Sequence, residues 1–296
     1  MKLFSMNMMA AICMGGLALA SCSSDDNDAA PAQSNITLSM NGLDNLGDDF
    51  AYEGWLIVDG SPVSTGTFTV DDEGKLSQNS FNIDRSTLES ASTFVLSIEP
   101  SPDNDPAPAP TKLFAGDFVN NTAALGTAPV GSDFQEVNGK YIVATPTGTG
   151  DESEKYSGVW FLEMTSAGPV AGLKLPELAD GWRYEGWVVV DGTPLTTGTF
   201  TSVNGADNAA PFSGTNPGPA YPGEDFLQNA PNGLTFPTDV RGRPVVISVE
   251  PFPDNSPAPF ALKPLFVQTP DQVDGSVEMK NYVEESFPTG SVSRNF

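Results

Sequence analysis

The sequence contains no histidine, and its two cysteines, Cys13 and Cys22, both lie close to the N-terminus. Imidazole and thiolate groups are the usual ligands of zinc and the usual bases and nucleophiles of hydrolytic triads. The chain after Cys22 therefore has no disulfide, no thiol nucleophile and no imidazole base. We expect no cofactor, no metal site, no catalytic residues and hence no enzymatic activity.

Positive charge is also scarce. The chain has 13 Lys+Arg against 38 Asp+Glu, which gives a formal net charge of −25. Such a charge repels phosphate groups and anionic surfaces, so the sequence disfavours nucleic acid as a partner. Beyond the N-terminus, no stretch approaches the ~20 apolar residues that a membrane-spanning helix requires.

The N-terminus has the pattern of a secretory signal peptide, which we place at residues 1–21. Lys2 precedes a short apolar run that ends in Leu19-Ala20-Ser21-Cys22. This ending resembles the bacterial lipobox, whose cysteine is acylated and becomes the first residue of the mature protein. The resemblance implies lipidation at Cys22, with membrane lipid as a partner. The alternative is an ordinary signal peptide with an accidental cysteine.

Residues 22–35 have the acidic, polar composition of a flexible tether. An aspartate directly after the lipidated cysteine would resemble an inner-membrane retention signal, but this position is Ser23. We therefore expect the protein in the cell envelope, at the outer membrane. The acidic run at residues 25–28 looks like the surface-export signal of some lipoproteins. The sequence is compatible with the periplasmic face of the outer membrane and with the cell surface.

An internal duplication dominates the rest of the chain. Residues 52–69 read YEGWLIVDGSPVSTGTFT, and residues 184–201 read YEGWVVVDGTPLTTGTFT. A second block, SIEPSPDNDPAP at residues 97–108, returns as SVEPFPDNSPAP at residues 248–259. The first block has the pattern of a β-hairpin with an Asp-Gly turn, and Gly66 and Gly198 inside the return strands predict a β-bulge. The second block has the pattern of a strand followed by a stiff Pro-rich turn. Alternation that is apolar on both faces predicts a strand covered on both sides.

The duplication, the short strands and the many turn residues predict an all-β fold of two tandem β-sandwich-like domains, at residues 36–166 and 167–296. The second copy has 19 more residues between its two blocks than the first. This extra material lies within residues 204–239, whose Pro, Gly and Asn content indicates a long surface loop. We take the loop as the candidate binding surface, because its aromatic residues are Phe212, Tyr221 and Phe226.

The two blocks together resemble the extracytoplasmic C-terminal domain of the anti-sigma-K factor (RskA) family. The resemblance implies an exported β-rich domain with a sensing or supporting role. Family regulators also carry a cytoplasmic sigma-binding segment and a transmembrane helix, and neither is expected here. The matching residues are Tyr52, Trp55, Gly60, Pro62, Gly66, Phe68, Glu99, Pro100, Pro106 and Pro108, with Tyr184, Trp187, Gly192, Pro194, Gly198, Phe200, Glu250, Pro251, Pro257 and Pro259 in the second copy.

Carboxylates are the remaining candidates for chemistry. A glycosidase needs two of them, with one pKa raised, and the recurring acids are Glu53, Glu99, Glu185 and Glu250. We favour a structural role, in which each glutamate accepts a hydrogen bond from a backbone N–H or a turn at a strand end. Calcium could be held by oxygens from residues 71–73 and 103–105, although solvated turns fit these segments better. Trp55 and Trp187 could stack on sugars, but their apolar neighbours favour core packing.

The sequence therefore predicts a lipid-anchored, non-enzymatic binding or sensing module of the cell envelope. Its ligand would be an envelope protein or a glycan. The alternatives are a structural or adhesive spacer at the surface and a hydrolase that uses carboxylates alone.

Overall fold

The computed structural model describes residues 34–254 and 256–296. The predicted signal peptide, Cys22 and all but the last two tether residues lie outside the described residues. The regular structure of the described chain is almost entirely β, in two barrel- or sandwich-like sheets, which confirms the predicted fold class. In the described ranges, no helix has both the length and the hydropathy needed to cross a bilayer.

The first sheet has eight antiparallel strands. Seven come from the first half of the chain and one from the C-terminus: β1 (Asn35–Asn41), β2 (Phe50–Val58), β3 (Ser61–Phe68), β4 (Ser80–Asn82), β5 (Ala91–Pro100), β6 (Lys112–Val119), β7 (Thr122–Leu125) and β19 (Thr289–Asn295). Their order across the sheet is β3-β2-β5-β6-β7-β19-β1-β4.

The second sheet repeats this arrangement with strands β8 (Asn138–Val143), β9 (Gly158–Trp160), β12 (Leu173–Lys174), β13 (Trp182–Val190), β14 (Thr193–Phe200), β15 (Gly223–Asp225), β16 (Pro244–Pro251), β17 (Leu265–Gln268) and β18 (Ser276–Asn281). Their order is β14-β13-β16-β17-β18-β8-β9-β15, with β12 also pairing to β8. Three short helical turns and a small hairpin complete the fold: α1 (Arg85–Ser90), a 3-10 turn (Phe134–Glu136), α2 (Val283–Ser286), and β10 (Leu162–Thr165) with β11 (Gly168–Ala171).

The two sheets divide the chain differently from the predicted boundary at residues 166 and 167. The second sheet is one continuous stretch, residues 138–281, whereas the first consists of residues 35–125 and the C-terminal β19. β19 and β8 occupy corresponding places in the two orders. Val292 of β19 and Tyr141 of β8 are both completely buried, so each strand carries a core side chain into its sheet.

The repeated hairpin explains why the first block recurs so closely. Asp59 and Gly60 join β2 to β3 with φ values of 51° and 79°, both in the left-handed region that a two-residue type I′ turn requires. At the predicted bulge, Gly54 pairs with Gly66 and Trp55 with Ser64, which leaves the intervening residue unpaired. β13 and β14 repeat both features, with the register shift after Gly186.

The core is a single cluster of buried apolar residues drawn from both repeats. Tyr52 stacks on Phe68 with ring centroids 5.5 Å apart, and Tyr184 stacks on Phe200 at 5.6 Å. Trp55 and Trp187 are both buried, as the sequence predicted. β2 is buried on both faces over most of its length and lies between β3 and β5, which also agrees with the prediction.

Candidate functional site

A cleft of about 940 Å³ opens between the two repeats. Its walls are the loop at residues 42–47, the acidic turn at residues 71–74, and the Pro-rich segments that follow β5 and β16. The two copies of the second sequence block therefore face a common space. We take this cleft as the candidate functional site.

The first Pro-rich segment is held by a chain of hydrogen bonds that starts in the core. Trp55 Nε1 donates to Ser97 Oγ at 2.8 Å, and Ser97 Oγ donates to Glu99. Glu99 Oε1 also accepts the backbone N–H of Ala109 at 2.8 Å, ten residues further along the chain. The carboxylate thus closes the Pro-rich segment into a loop and fixes it to the sheet.

The second copy repeats this network. Trp187 Nε1 donates to Ser248 Oγ at 2.8 Å, Ser248 donates to Glu250, and Glu250 Oε1 accepts the N–H of Phe260 at 3.0 Å. These hydrogen bonds connect each Pro-rich segment to a buried side chain of its sheet, so both walls of the cleft are held in place. The structural role expected for Glu99 and Glu250 agrees with these contacts.

The other recurring acids serve the hairpins. Glu53 accepts a hydrogen bond from Ser64, and Glu185 accepts one from Thr196, each across the paired strands. All four recurring glutamates are buried: Glu53, Glu99, Glu185 and Glu250. Because they are buried, these four side chains are not exposed to a substrate in the way that the two carboxylates of a glycosidase are.

Burial changes the acidity of these carboxyl groups. Desolvation raises the pKa of Glu185 to about 7 and that of Glu250 to about 8, because the charged form loses its hydration. Burial also raises the pKa of Glu99. The hydrogen bonds from Ser248 and Phe260 oppose the shift at Glu250.

The lining of the cleft is apolar at its base and acidic at its rim. Prolines of both Pro-rich segments and the aromatic rings of the second, Phe252 and Phe260, supply the apolar surface, and Phe252 keeps 49% of its surface exposed. The guanidinium of Arg183 lies 3.7 Å from the centroid of the Phe252 ring. Among the described lining residues there is no Lys or Arg, whereas five are acidic: Asp44, Asp71, Asp72, Glu73 and Asp254.

The rim acids also build the walls. Asp44 Oδ2 accepts the N–H of Ala261 at 2.5 Å and so connects the first repeat to the second. Asp71 accepts the N–H groups of Glu73 and Lys75, which shapes the acidic turn. The rim is therefore ordered by its own backbone contacts.

The two segments considered for calcium do not form a site. Asp103 and Asp105 each accept a backbone N–H two residues further on, at 2.9 and 3.0 Å. Residues 71–73 line the cleft, whereas residues 103–105 do not. In residues 34–254 and 256–296, no three acidic side chains are arranged to hold a metal ion.

The predicted binding loop is packed against the second sheet. Phe226 is completely buried, and Phe212 and Phe236 pack on it with ring centroids 5.8 and 5.9 Å away. Tyr221 donates its hydroxyl to the carbonyl of Pro169 on the small hairpin. Phe226 has no surface to offer a ligand, and none of the three predicted residues lines the cleft.

Two buried acidic residues connect the segment at residues 204–239 to the second sheet. Glu224 and Asp225 lie on β15, which pairs with β9 at the end of the second sheet. Asp225 accepts Trp160 Nε1 at 2.7 Å and both the N–H and the hydroxyl of Thr147, at 2.7 and 2.6 Å. Residues 222–226 are therefore part of the core, whereas most of the remaining segment is exposed or half-buried.

Phe252 and Asp44 line the cleft but were not predicted as site residues from the sequence. One signal was available: the two Pro-rich blocks match closely, yet Phe252 stands where the first copy has Ser101. A large apolar residue gained at an exposed turn indicates a contact surface. Asp44 gave no such signal, because its place beside the second repeat depends on the fold.

The fold and the cleft define a class of protein: an all-β, internally duplicated module with a cleft between its repeats. The family model described as Anti-sigma-K factor rskA, C-terminal, matches residues 28–113. The likeness found from the sequence is thus confirmed for the first copy, which is similar to an anti-sigma-factor regulatory domain, and that family is not a family of enzymes. No curated protein and no solved structure matches the chain.

Proposed function

We propose that the protein is a lipid-anchored, non-enzymatic binding module of the cell envelope, whose cleft holds an extended, positively charged peptide segment. The acidic rim without a Lys or Arg among its described residues is the observation that carries this proposal. The acidic rim attracts a cationic partner at short range, and the net charge of −25 attracts it over a longer range.

The apolar base of the cleft favours a peptide over a glycan. Proline and phenylalanine side chains offer shallow apolar contacts of the kind that extended peptides use. The tryptophans that could have stacked on sugar rings, Trp55 and Trp187, are buried. A carboxylate-only hydrolase has no support either, since Glu99 and Glu250 are buried and hydrogen-bonded.

The likeness of the first copy to an anti-sigma-factor domain supports a regulatory partner of protein nature. Lipidation at Cys22 would hold the cleft at the outer membrane, on its periplasmic face or at the cell surface. Several acyl chains on one residue anchor a protein stably, because each buried CH₂ contributes about 0.8 kcal/mol.

The cleft is tested by titrating residues 33–296, which form one compact unit, with two synthetic peptides. A Lys-Pro repeat peptide should bind, and a Glu-Pro repeat peptide of equal length should not. Combining Asp72→Asn with Glu73→Gln should weaken Lys-Pro binding by about tenfold, and Phe252→Ala should weaken it further. Calorimetry at two salt concentrations measures both effects, because screening reduces the charge contribution.

The matched control is Glu152→Gln, which removes a highly exposed acid that does not line the cleft. It should leave Lys-Pro binding unchanged. Equal binding of both peptides, or equal loss with the control variant, would contradict a cationic ligand. Absence of any binding would favour the spacer alternative.

The anchor is tested separately with Cys22→Ala. The wild-type protein should be recovered in the membrane fraction with an acylated N-terminal cysteine, and the variant in the soluble fraction. Mass spectrometry of the N-terminus identifies the modification. A wild-type protein with an intact, unacylated N-terminus would refute the anchor without affecting the cleft.

A further inference from the structure

The first sheet contains a slot that the chain fills with its last strand. β19 lies between β1 and β7, with seven register pairs to β1 and four to β7. The corresponding slot in the second sheet, between β9 and β18, holds β8. β8 directly precedes β9 in the chain, whereas nothing in the described chain precedes β1 except Ser34.

The connections show how the repeats are joined. The chain leaves the first sheet after β7 and supplies β8 to the second sheet, and it leaves the second sheet after β18 and supplies β19 to the first. The two crossing segments meet where Phe134 packs edge-on against Phe287, with ring centroids 5.0 Å apart. Each repeat therefore donates one strand to the sheet of the other: β8 follows the first repeat and β19 follows the second.

β19 is held mainly by groups that any copy of the same strand could satisfy. Val292 is its one completely buried side chain, and the others are half-buried or exposed. Arg294 Nη1 donates to the carbonyls of Leu88 and Ala91 at 2.7 and 3.0 Å, and its guanidinium lies over the ring of Phe118. A β19 from a second molecule would make each of these contacts identically.

We propose that the slot between β1 and β7 also accepts β19 of a second copy of this chain, so that molecules join head to tail. The occupant is specified by the slot itself, which already matches residues 289–295 in register and in side-chain contacts. Inserted from its own molecule, β19 closes the monomer; inserted from a neighbour, it gives closed rings or open filaments. No covalent bond changes, and only the path of residues 282–288 differs.

Protein concentration decides between the two arrangements. The linker to β18 gives a molecule's own β19 a high effective concentration, so dilute protein stays monomeric. Crowding on a membrane, which the proposed lipid anchor would cause, shifts the balance towards exchange. The exchange itself does not depend on the anchor or on the cleft.

Single-cysteine variants of residues 33–296, a stretch without cysteine, provide the test. Ser39 and Ser291 are directly opposite each other on β1 and β19. Unfolding Ser39→Cys and Ser291→Cys variants together, refolding them at high concentration and oxidising them mildly should yield a disulfide-linked heterodimer of twice the monomer mass. Mass spectrometry of the linked peptides should show residue 39 joined to residue 291.

Two controls make the result decisive. The double variant carrying both cysteines should close within one molecule in dilute solution, which establishes that the pair is near enough to react. Ser291→Cys mixed with Val119→Cys, an exposed position away from β19's register, measures chance collision. If the mixed pair forms no more dimer than this control while the double variant closes, the proposal is overturned.

Discussion

Replacing Val292 by aspartate is expected to unfold the first sheet, although this residue lies at the far C-terminal end of the chain. Its side chain is completely buried in the first sheet. An unpaired charge there should cost about 4 kcal/mol or more, a large part of the 5–15 kcal/mol that stabilises a typical domain. Amide hydrogen exchange should accelerate in β2 and β5, which are distant in sequence from the substitution.

Val119→Asp is the matched control, because Val119 keeps 72% of its surface exposed at the β6–β7 connection of the same sheet. It should change the free energy of unfolding by less than about 0.5 kcal/mol. Val292→Ala should fall between the two, since it removes apolar contacts without burying a charge. Exchange that accelerates only within β19 after Val292→Asp would show that this strand does not support the sheet.

Raising the pH from 5 to 9 should destabilise the protein. Burial raises the pKa of Glu185, Asp207 and Glu224 to about 7 and that of Glu250 to about 8. A carboxyl group with a raised folded-state pKa binds its proton more tightly in the folded protein than in the unfolded chain. Its stabilising effect is complete below the unfolded pKa and is lost as the pH rises through the folded pKa. Chemical denaturation across this range measures the loss.

Glu250→Gln isolates the largest contribution. Glutamine keeps the shape and an acceptor for the Phe260 N–H, but it carries no charge at any pH. Between pH 5 and pH 9 the free energy of unfolding of the variant should fall by about 4 kcal/mol less than that of the wild type, since one pKa unit corresponds to about 1.4 kcal/mol. Glu89→Gln, at an exposed i,i+4 pair, should retain the full dependence. A free energy of unfolding that is constant or rising over this range would contradict the assignment.

Local chemistry allowed the sequence to predict the repeated hairpins and their interior. The Asp-Gly turn at residues 59 and 60, the bulge near Gly66 and the burial of Trp55 all follow from neighbouring residues, because turn type and alternation depend on short-range sterics. The second copy confirmed them by repetition. The same local reasoning predicted hydrogen-bonding roles for Glu99 and Glu250.

The cleft and the strand exchange depend on contacts between distant parts of the chain. Residues 138–143 and 289–295 each form a strand, but nothing in the sequence of either segment indicates which sheet it joins. The cleft arises because two Pro-rich blocks more than a hundred residues apart face each other. Phe226 was assigned to a surface because its surroundings are rich in Pro, Gly and Asn. The hydrogen bonds that bury that segment, such as those of Asp225 to Thr147, depend on the folded sheet.

The pairing of β1 with β19 places the first and last strands of the described structure side by side, with Asn35 opposite Asn295. A short peptide linker between these two strands, combined with new chain termini within residues 126–133, would give a circularly permuted protein. In that permutant, residues 138–281 would come first, and residues 289–296 would run on into residues 34–125. Each sheet would then be formed by one continuous segment of the chain. The natural order of segments and the permuted order should therefore give the same fold.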